Sequence, residues 1–325
     1  MANVINQRPS ISVVMPVYNR TQFVNEAIKS IIDTNANNNI IEIIVVTNID
    51  LDISLKNDFV DLKIIKTDEK ELSQKIKIGI IMANADIIAF LEDDDLWVNN
   101  KVYHILSIFN NKEIDFYHNN FLQFRGIPKK EDYIYLQNNF FELSAKDIRS
   151  SVKNIKLFIK KYHSEYNLSS MVIRKSSFVP YIKFFDKFGT FGIDSLIFFM
   201  ALAYGNHIYI DKNILTLIRI HKTNSTLSID SNSNTEFKDI SEIINEIPDK
   251  NVKLLLYNNN LLKFIIIKSK CINLSKIELI KVSYQFLKNS LKFRSFPAFW
   301  IIVVIISRLI SYKLYKIILL YYHSF

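Results

Sequence analysis

The sequence predicts an α/β fold, a mostly parallel sheet flanked by helices and followed by a helical C-terminal extension. Three observations carry this. Short β-branched runs alternate with segments of helical spacing over the first 95 residues. The strand-like runs are apolar nearly throughout rather than at every second residue, the pattern of strands covered on both faces. After Pro248 the chain turns helical and increasingly apolar.

Element by element, Ile11 to Met15 is a β-branched run stopped by Pro16, as a buried strand would be. In the next segment Phe23, Ala27 and Ile31 form one row and Val24, Ile28 and Ile32 a second. Asn25, Glu26, Lys29 and Asp33 lie opposite, so this is a helix with a core-facing stripe and Thr21 as its candidate cap. Asn-rich residues 35–39 make a loop. Ile41 to Val46 reads as a second strand, Leu62 to Ile65 as a third and Leu72 to Ala83 as a helix. Ile87 to Leu91 is a further strand that runs directly into Glu92-Asp93-Asp94-Asp95. Farther on, Ser195 to Ala203 is helical and Ile214 to Ile218 strand-like. The α/β domain is expected over residues 1–230, with a helical, basic, membrane-leaning region over 231–325. The Ser/Asn-rich stretch from Thr223 to Thr235 is a surface loop or linker between them.

Composition narrows the function. The 325 residues are 49% hydrophobic and 22% charged, which suits a globular chain. The net charge of +9 is unevenly spread: from Lys250 onward thirteen Lys/Arg face one acid, Glu278, while the rest nets −3. A nucleic-acid binder could carry such a tail, but the interleaving of its charges with long aliphatic runs points elsewhere. A single cysteine, Cys271, excludes an internal disulfide and a thiolate metal cage, and the first ten residues lack an apolar targeting run. A cytoplasmic setting is the expectation. No glycine precedes Gly79, which excludes a P-loop and a GxGxxG turn in the first strand–helix unit, and no His-Glu-x-x-His is present.

In open α/β sheets, ligands bind beyond the carboxyl ends of the strands. Three polar clusters fall there: Val17-Tyr18-Asn19, Thr47-Asn48 and Glu92 to Asp95. Four consecutive acids after a buried strand raise one another's pKa unless solvated or neutralised. A divalent cation removes that penalty, and carboxylate oxygens are the hard ligands Mg²⁺ or Mn²⁺ takes. An acidic turn ahead of the next helix is the plainer reading of the same residues.

The runs Ser12-Val13-Val14-Met15-Pro16-Val17-Tyr18-Asn19-Arg20, Glu42-Ile43-Ile44-Val45-Val46 and Ile88-Ala89-Phe90-Leu91-Glu92-Asp93-Asp94-Asp95-Leu96-Trp97 resemble family 2 glycosyltransferases of the GT-A fold. The resemblance spans roughly residues 10–225. It implies that Pro16, Val17, Tyr18 and Asn19 hold the base and ribose of a nucleotide-sugar donor, with Tyr18 as a stacking platform. Glu92 and Asp94 match the family's spaced carboxylates. Asp94 is then the first choice for the metal, joined by Glu92, while Glu92 and Asp93 face the ribose and diphosphate. Relatives usually continue the second strand with Asp-Asp-Gly-Ser; Thr47-Asn48-Ile49-Asp50 stands here, so the base-reading carboxylate is missing and uridine is less firmly implied. The usual Arg-Asn is replaced by Ile76-Lys77, while Gly79 and Asp86 keep the pattern. Phe188 to Leu196 resembles the acceptor-side motif, with Asp194 as general base or, more simply, a helix cap. Arg219-Ile220-His221 places His221 as a further metal or diphosphate ligand. The implied reaction is inverting transfer from a nucleotide-diphosphate donor, most readily a UDP-sugar, to a hydroxyl of a glycan or lipid-linked acceptor. An inactive GT-A scaffold and a sugar nucleotidyltransferase are the alternatives, though residues 16–22 offer a triphosphate only Arg20.

The tail combines the apolar run Phe296 to Ile306 with Arg308, Lys313 and Lys316. The run is too short to span a bilayer. With Lys288, Lys292 and Arg294 upstream, an interfacial helix on an anionic membrane surface fits better, placing the protein peripherally on the inner face of the cell membrane.

Overall fold

The computed structural model describes residues 10–34, 39–55, 60–98, 100–111, 113–128, 140–188, 192–221 and 241–256. The chain divides into two compact units, Met1–Lys222 with Lys238–Val252 and Thr223–Phe237 with Lys253–Phe325. The sheet and the helices that cover it belong to the first. The expected linker at 223–235 and the basic apolar tail lie outside the described residues.

Among the described residues nine strands build one sheet: β1 (Ile11–Val17), β2 (Ile40–Thr47), β3 (Asp61–Lys66), β4 (Ile87–Phe90), β5 (Leu96–Trp97), β6 (Phe116–Phe124), β7 (Phe140–Ser144), β8 (Met171–Arg174) and β9 (His207–Arg219). Their order is β3-β2-β1-β4-β8-β6-β9-β5, with β7 also paired to β9. The first four run parallel, β1 lying between β2 and β4. Beyond β4 the sheet is mixed, because β8 is antiparallel to both β4 and β6 while β9 is parallel to β6. The N-terminal elements follow the sequence reading to within a residue or two. β9 is much longer than the run Ile214 to Ile218, since its first half, His-Ile-Tyr-Ile-Asp-Lys-Asn, mixes polar residues into the strand.

Helix α1 (Val24–Asp33) buries Val24, Ala27, Ile28 and Ile31. Thr21 contributes its backbone carbonyl, which accepts from Val24 N–H, and the helix has no side-chain cap bond. Helix α2 (Leu72–Met82) crosses β1 at Gly79, where an added Cβ would run into Val14 Cγ1. Glycine is required by that close approach. Under the parallel half, buried Glu42 of β2 accepts from Ser12 Oγ of β1 at 2.5 Å, Lys63 Nζ of β3 at 2.5 Å and Asn84 N–H at 2.5 Å. The remaining helices are α3 (Lys101–Asn111), α4 (Ala145–Arg149), α5 (Val152–Tyr162), α6 (Lys175–Phe178), α7 (Ile193–Tyr204) and α8 (Ser241–Glu246). Among the described residues no helix is long and apolar enough to cross a membrane.

Candidate active site

Parallel strands deliver their carboxyl ends to one edge, and the polar residues singled out in the sequence collect there. Pro16 and Val17 are buried in the last turns of β1, so they meet a ligand through backbone rather than side chain. Tyr18 follows with 47% of its surface exposed, so it is not a core aromatic. Asn19 takes φ 52°, a left-handed conformation Asn tolerates better than most residues. Thr47 is buried and occupied with its own loop, donating to Ile49 O at 3.1 Å. Asn48 donates from its amide nitrogen to Asn19 Oδ1 at 2.8 Å.

The acidic run after β4 is not a solvated turn. Asp93, Asp94 and Asp95 are all buried. Arg20, at the end of the β1 turn, reaches across to them, donating to Asp93 Oδ1 at 2.5 Å and Asp94 Oδ2 at 2.7 Å. His221 Nε2 lies 2.8 Å from that same Asp94 oxygen and 3.2 Å from the Arg20 guanidinium. Arg219 secures the run from behind: its backbone N–H donates to Asp95 Oδ1 and its Nε to Asp94 O, each at 3.0 Å. Its guanidinium also pairs with Glu26 at 2.6 Å and lies 4.4 Å over the Phe23 ring. Ser169, in the 3₁₀ turn before β8, donates to Asp95 Oδ2 at 2.6 Å and accepts from Glu92 N–H at 3.0 Å. Its carbonyl accepts from Trp97 Nε1 at 3.2 Å and buried Lys101 Nζ at 2.6 Å.

The electrostatics follow from this crowding. Burial, then Asp95, Asp94, Asp194 and Asp93, hold the Glu92 carboxyl well above its usual range. Burial pushes Asp93 up to about 7, against the pull of Arg20 and of Tyr18 N–H. Burial and Asp94 push Asp95 up to about 8, against its bonds from Ser169 and Arg219. Asp93 Oδ2 is buried with no hydrogen-bond partner among the described residues. Asp194 sits in the first turn of α7, whose N-cap is Gly192 at φ 86°, so the acid is inside the helix rather than capping it. Its Oδ1 accepts from Ser195 N–H at 2.9 Å and its Oδ2 from Asn167 N–H at 3.3 Å. Its charge reaches Glu92 and also Tyr166, whose phenol is raised by burial and then by Asp194, Glu92 and Asp95.

The chemistry of this donor set fits a hard divalent cation: oxygen ligands, one orphaned buried carboxylate oxygen, and carboxyls that ionise reluctantly. Among the described residues no three acidic, imidazole or thiolate groups already converge at metal-ligand geometry. Arg20 lies on Asp94 instead.

Two cations escaped the sequence reading. Lys75 of α2 is buried, and its Nζ donates to Val17 O at 2.5 Å and Asn48 Oδ1 at 2.7 Å. Burial lowers it to about 8, against the raising effect of Asp93. Lys101 is buried beneath Trp97, with its ammonium 4.5 Å from that ring, and burial lowers it strongly. Lys77, which with Ile76 stands where relatives have Arg-Asn, pairs with Asp186 at 2.6 Å. A cavity of 580 Å³ opens at the opposite ends of the strands, lined by Asp86, Asp115, Arg174 and His207 among others. It shares no residue with the acidic cluster, so chemistry rather than concavity marks the candidate site.

Comparison with known proteins agrees with this architecture. Residues 12–160 match the model of Glycosyl transferase family 2. A Haemophilus influenzae protein described as an uncharacterized glycosyltransferase is 28% identical over 176 residues, covering 49% of this chain and 69% of the relative. The fold is similar to S. aureus TarS 1–349 in complex with UDP-GlcNAc, with TM-score 0.52 and 13% identity over 73% of this chain. The chain spans 65% of the length of that structure. The resemblance read from the three sequence segments therefore stands, and the fold is a mixed α/β sheet flanked by helices, as in GT-A glycosyltransferases.

Proposed function

We propose that the chain transfers a sugar from a nucleotide-diphosphate donor to an acceptor hydroxyl, a reading supported by the match of residues 12–160 to the model of Glycosyl transferase family 2. The observation that supports this best is the docking of the β1 turn onto the acidic run. Arg20, two residues after Tyr18, bonds both Asp93 and Asp94, so the platform for a base and the site for a diphosphate are one connected structure. A nucleoside diphosphate extended from Tyr18 toward Asp94 would have its ribose near Glu92 and Asp93. The UDP-GlcNAc complex of TarS makes a UDP-sugar the first donor to try.

Asp94, Glu92 and His221 are the residues that would hold a divalent cation, Mn²⁺ or Mg²⁺. Once bound, that ion supplies charge neutralisation of the diphosphate leaving group. Asp194 is the general base: two backbone N–H groups hold its carboxylate in the first turn of α7, and it takes the acceptor's proton, as inverting displacement requires. The acceptor is a hydroxyl on a glycan or a lipid-linked sugar. Residues 231–325 bring the chain to an anionic membrane surface on the cytoplasmic side, an assignment that rests on the sequence pattern of the tail. Fractionating cells with and without residues 296–325 tests it; a full chain that stays in the soluble fraction at low salt removes it.

The enzymatic reading is tested by assaying donor hydrolysis and transfer with Mn²⁺ across several nucleotide sugars. Asp94→Asn is expected to abolish divalent-dependent turnover. Asp194→Asn is expected to cut transfer by about 10²–10⁴-fold while donor binding persists, the range a positioned base contributes. Turnover unchanged in either variant sinks that residue's role. No reaction with any donor would favour an inactive scaffold.

A further inference from the structure

Asp194 and the acidic run come from distant parts of the chain, yet an inverting displacement needs them at one fixed separation. The nucleophile's oxygen bonds the anomeric carbon while its proton passes to the base, and the electron pair of the breaking C–O bond leaves with the diphosphate. The base serves the entering group and the acidic run the departing one. A misplacement of about 1 Å at such a centre can cost about 10²-fold in rate.

The turn from Asn167 to Ser169 touches both. Ser169 Oγ donates to Asp95 Oδ2 at 2.6 Å and accepts from Glu92 N–H at 3.0 Å, which grips the acidic run at two points. Ser169 N–H donates to Asn167 Oδ1 at 3.1 Å, and Asn167 N–H donates to Asp194 Oδ2 at 3.3 Å. The connection spans 74 positions of chain on the acid side and 27 on the base side. It is also pinned from beneath. The Ser169 carbonyl accepts from Lys101 Nζ at 2.6 Å and from Trp97 Nε1 and Thr216 Oγ1, each at 3.2 Å. Asn167 Nδ2 donates to Ser170 Oγ at 2.8 Å, so both ends of its amide are engaged. Asn167 holds φ 71°, a strained conformation that persists only where the surroundings over-determine it.

We propose that Asn167 and Ser169 are positioning residues, a buried strut that fixes Asp194 against the acidic run. This deepens the glycosyl-transfer reading and rests on it. Both side chains are buried and bonded to protein partners, so they act through Glu92, Asp95 and Asp194 rather than on the substrate.

Hydrolysis of UDP-GlcNAc by the full chain with Mn²⁺ tests this, water taking the acceptor's place, together with calorimetric titration of UDP. Asn167→Gly adopts φ 71° without strain while removing the amide clamp, so the variant is expected to fold. It should lower kcat by about 10–100-fold, with KM for UDP-GlcNAc and affinity for UDP within about 3-fold of wild type. Ser169→Ala cuts the acid end of the strut and should lower kcat by about 10-fold or more, again with UDP affinity kept. Glu42→Gln, which loosens the parallel half of the sheet, controls for lost stability and should leave kcat and KM unchanged. The proposal is overturned by an Asn167→Gly kcat within about 3-fold of wild type. It is equally overturned if kcat and UDP affinity fall together, or if Glu42→Gln loses kcat to the same degree. Should Asn167→Gly not fold, judged by its melting curve, Ser169→Ala decides by the same split. A wild type that hydrolyses none of UDP-GlcNAc, UDP-glucose and UDP-galactose removes the UDP-sugar reading and this one with it.

Discussion

At the scale of single residues the site is an imbalance of charge held in place by neighbours. Glu92, Asp93, Asp94, Asp95 and Asp194 influence one another, and the cations that answer them are Arg20 and Arg219, with His221 on Asp94. Buried carboxylates of this kind persist only where something else requires them. The acids, Asp194 and His221 were legible in the sequence because motifs mark them. Ser169 was not. It is a serine in a short turn, and its importance comes from reaching Asp95 across 74 positions of chain. Lys75 carried a signal that can be read in retrospect. It stands four residues before Gly79, on the row of α2 that packs against β1, and a lysine on a buried row needs a partner. Thr47 and Asn48 looked equivalent in sequence. The structure separates them, turning Thr47 into its own loop and leaving Asn48 in the lysine's grip.

At the scale of elements, the parallel half of the sheet was readable because its strands are apolar on both faces and its helices keep a regular stripe. The mixed half was not, because β6 and β9 place polar residues such as His118, Asn119 and Asp211 in buried positions, which breaks both periodicities. Tertiary partners bond them, though Asn119 Oδ1 has no partner among the described residues; Asp211, for example, accepts from Tyr117 Oη at 3.0 Å. The polar clamp at Glu42 has the same character and ties β1, β2 and β3 to the turn before β4. Burial alone would raise its carboxyl, but bonds from Lys63, Ser12 and Asn84 N–H outweigh that and bring it below its ordinary 4.5. A lowered carboxylate contributes stability above its unfolded pKa and loses it as pH falls through the folded value. Glu42→Gln is therefore expected to cost about 1–3 kcal/mol at pH 7. The gap to wild type should narrow as the pH falls through the folded value, which lies below 4.5. Urea unfolding at pH 7 and pH 3 measures it, and a gap that is the same at both would show that Glu42 acts by shape and not by charge.

At the scale of the whole molecule, the acidic cluster makes stability depend on pH in the opposite sense. Asp93 and Asp95 stand at about 7 and about 8, and Glu92 is also raised, all mainly by burial. Carboxyls raised above their unfolded values bind protons more tightly in the folded chain. The stability they confer is complete below about 4, the unfolded value, and is lost as the pH rises toward 8. The protein without added cation should therefore melt at a lower temperature at pH 8 than at pH 6. A divalent cation binds the deprotonated cluster, so its stabilisation should be larger at the higher pH. At a concentration 100 times its dissociation constant it would contribute about 2.7 kcal/mol, a rise of several degrees for a domain of this size. Melting curves at pH 6 and pH 8 with and without Mn²⁺, for wild type and Asp94→Asn, test this without reference to turnover. The expected result is a shift that grows with pH in the wild type and shrinks in Asp94→Asn. A shift equal at both pH values, or undiminished in the variant, would place the cation elsewhere on the molecule and leave Arg20 as the counter-charge that Asp94 keeps.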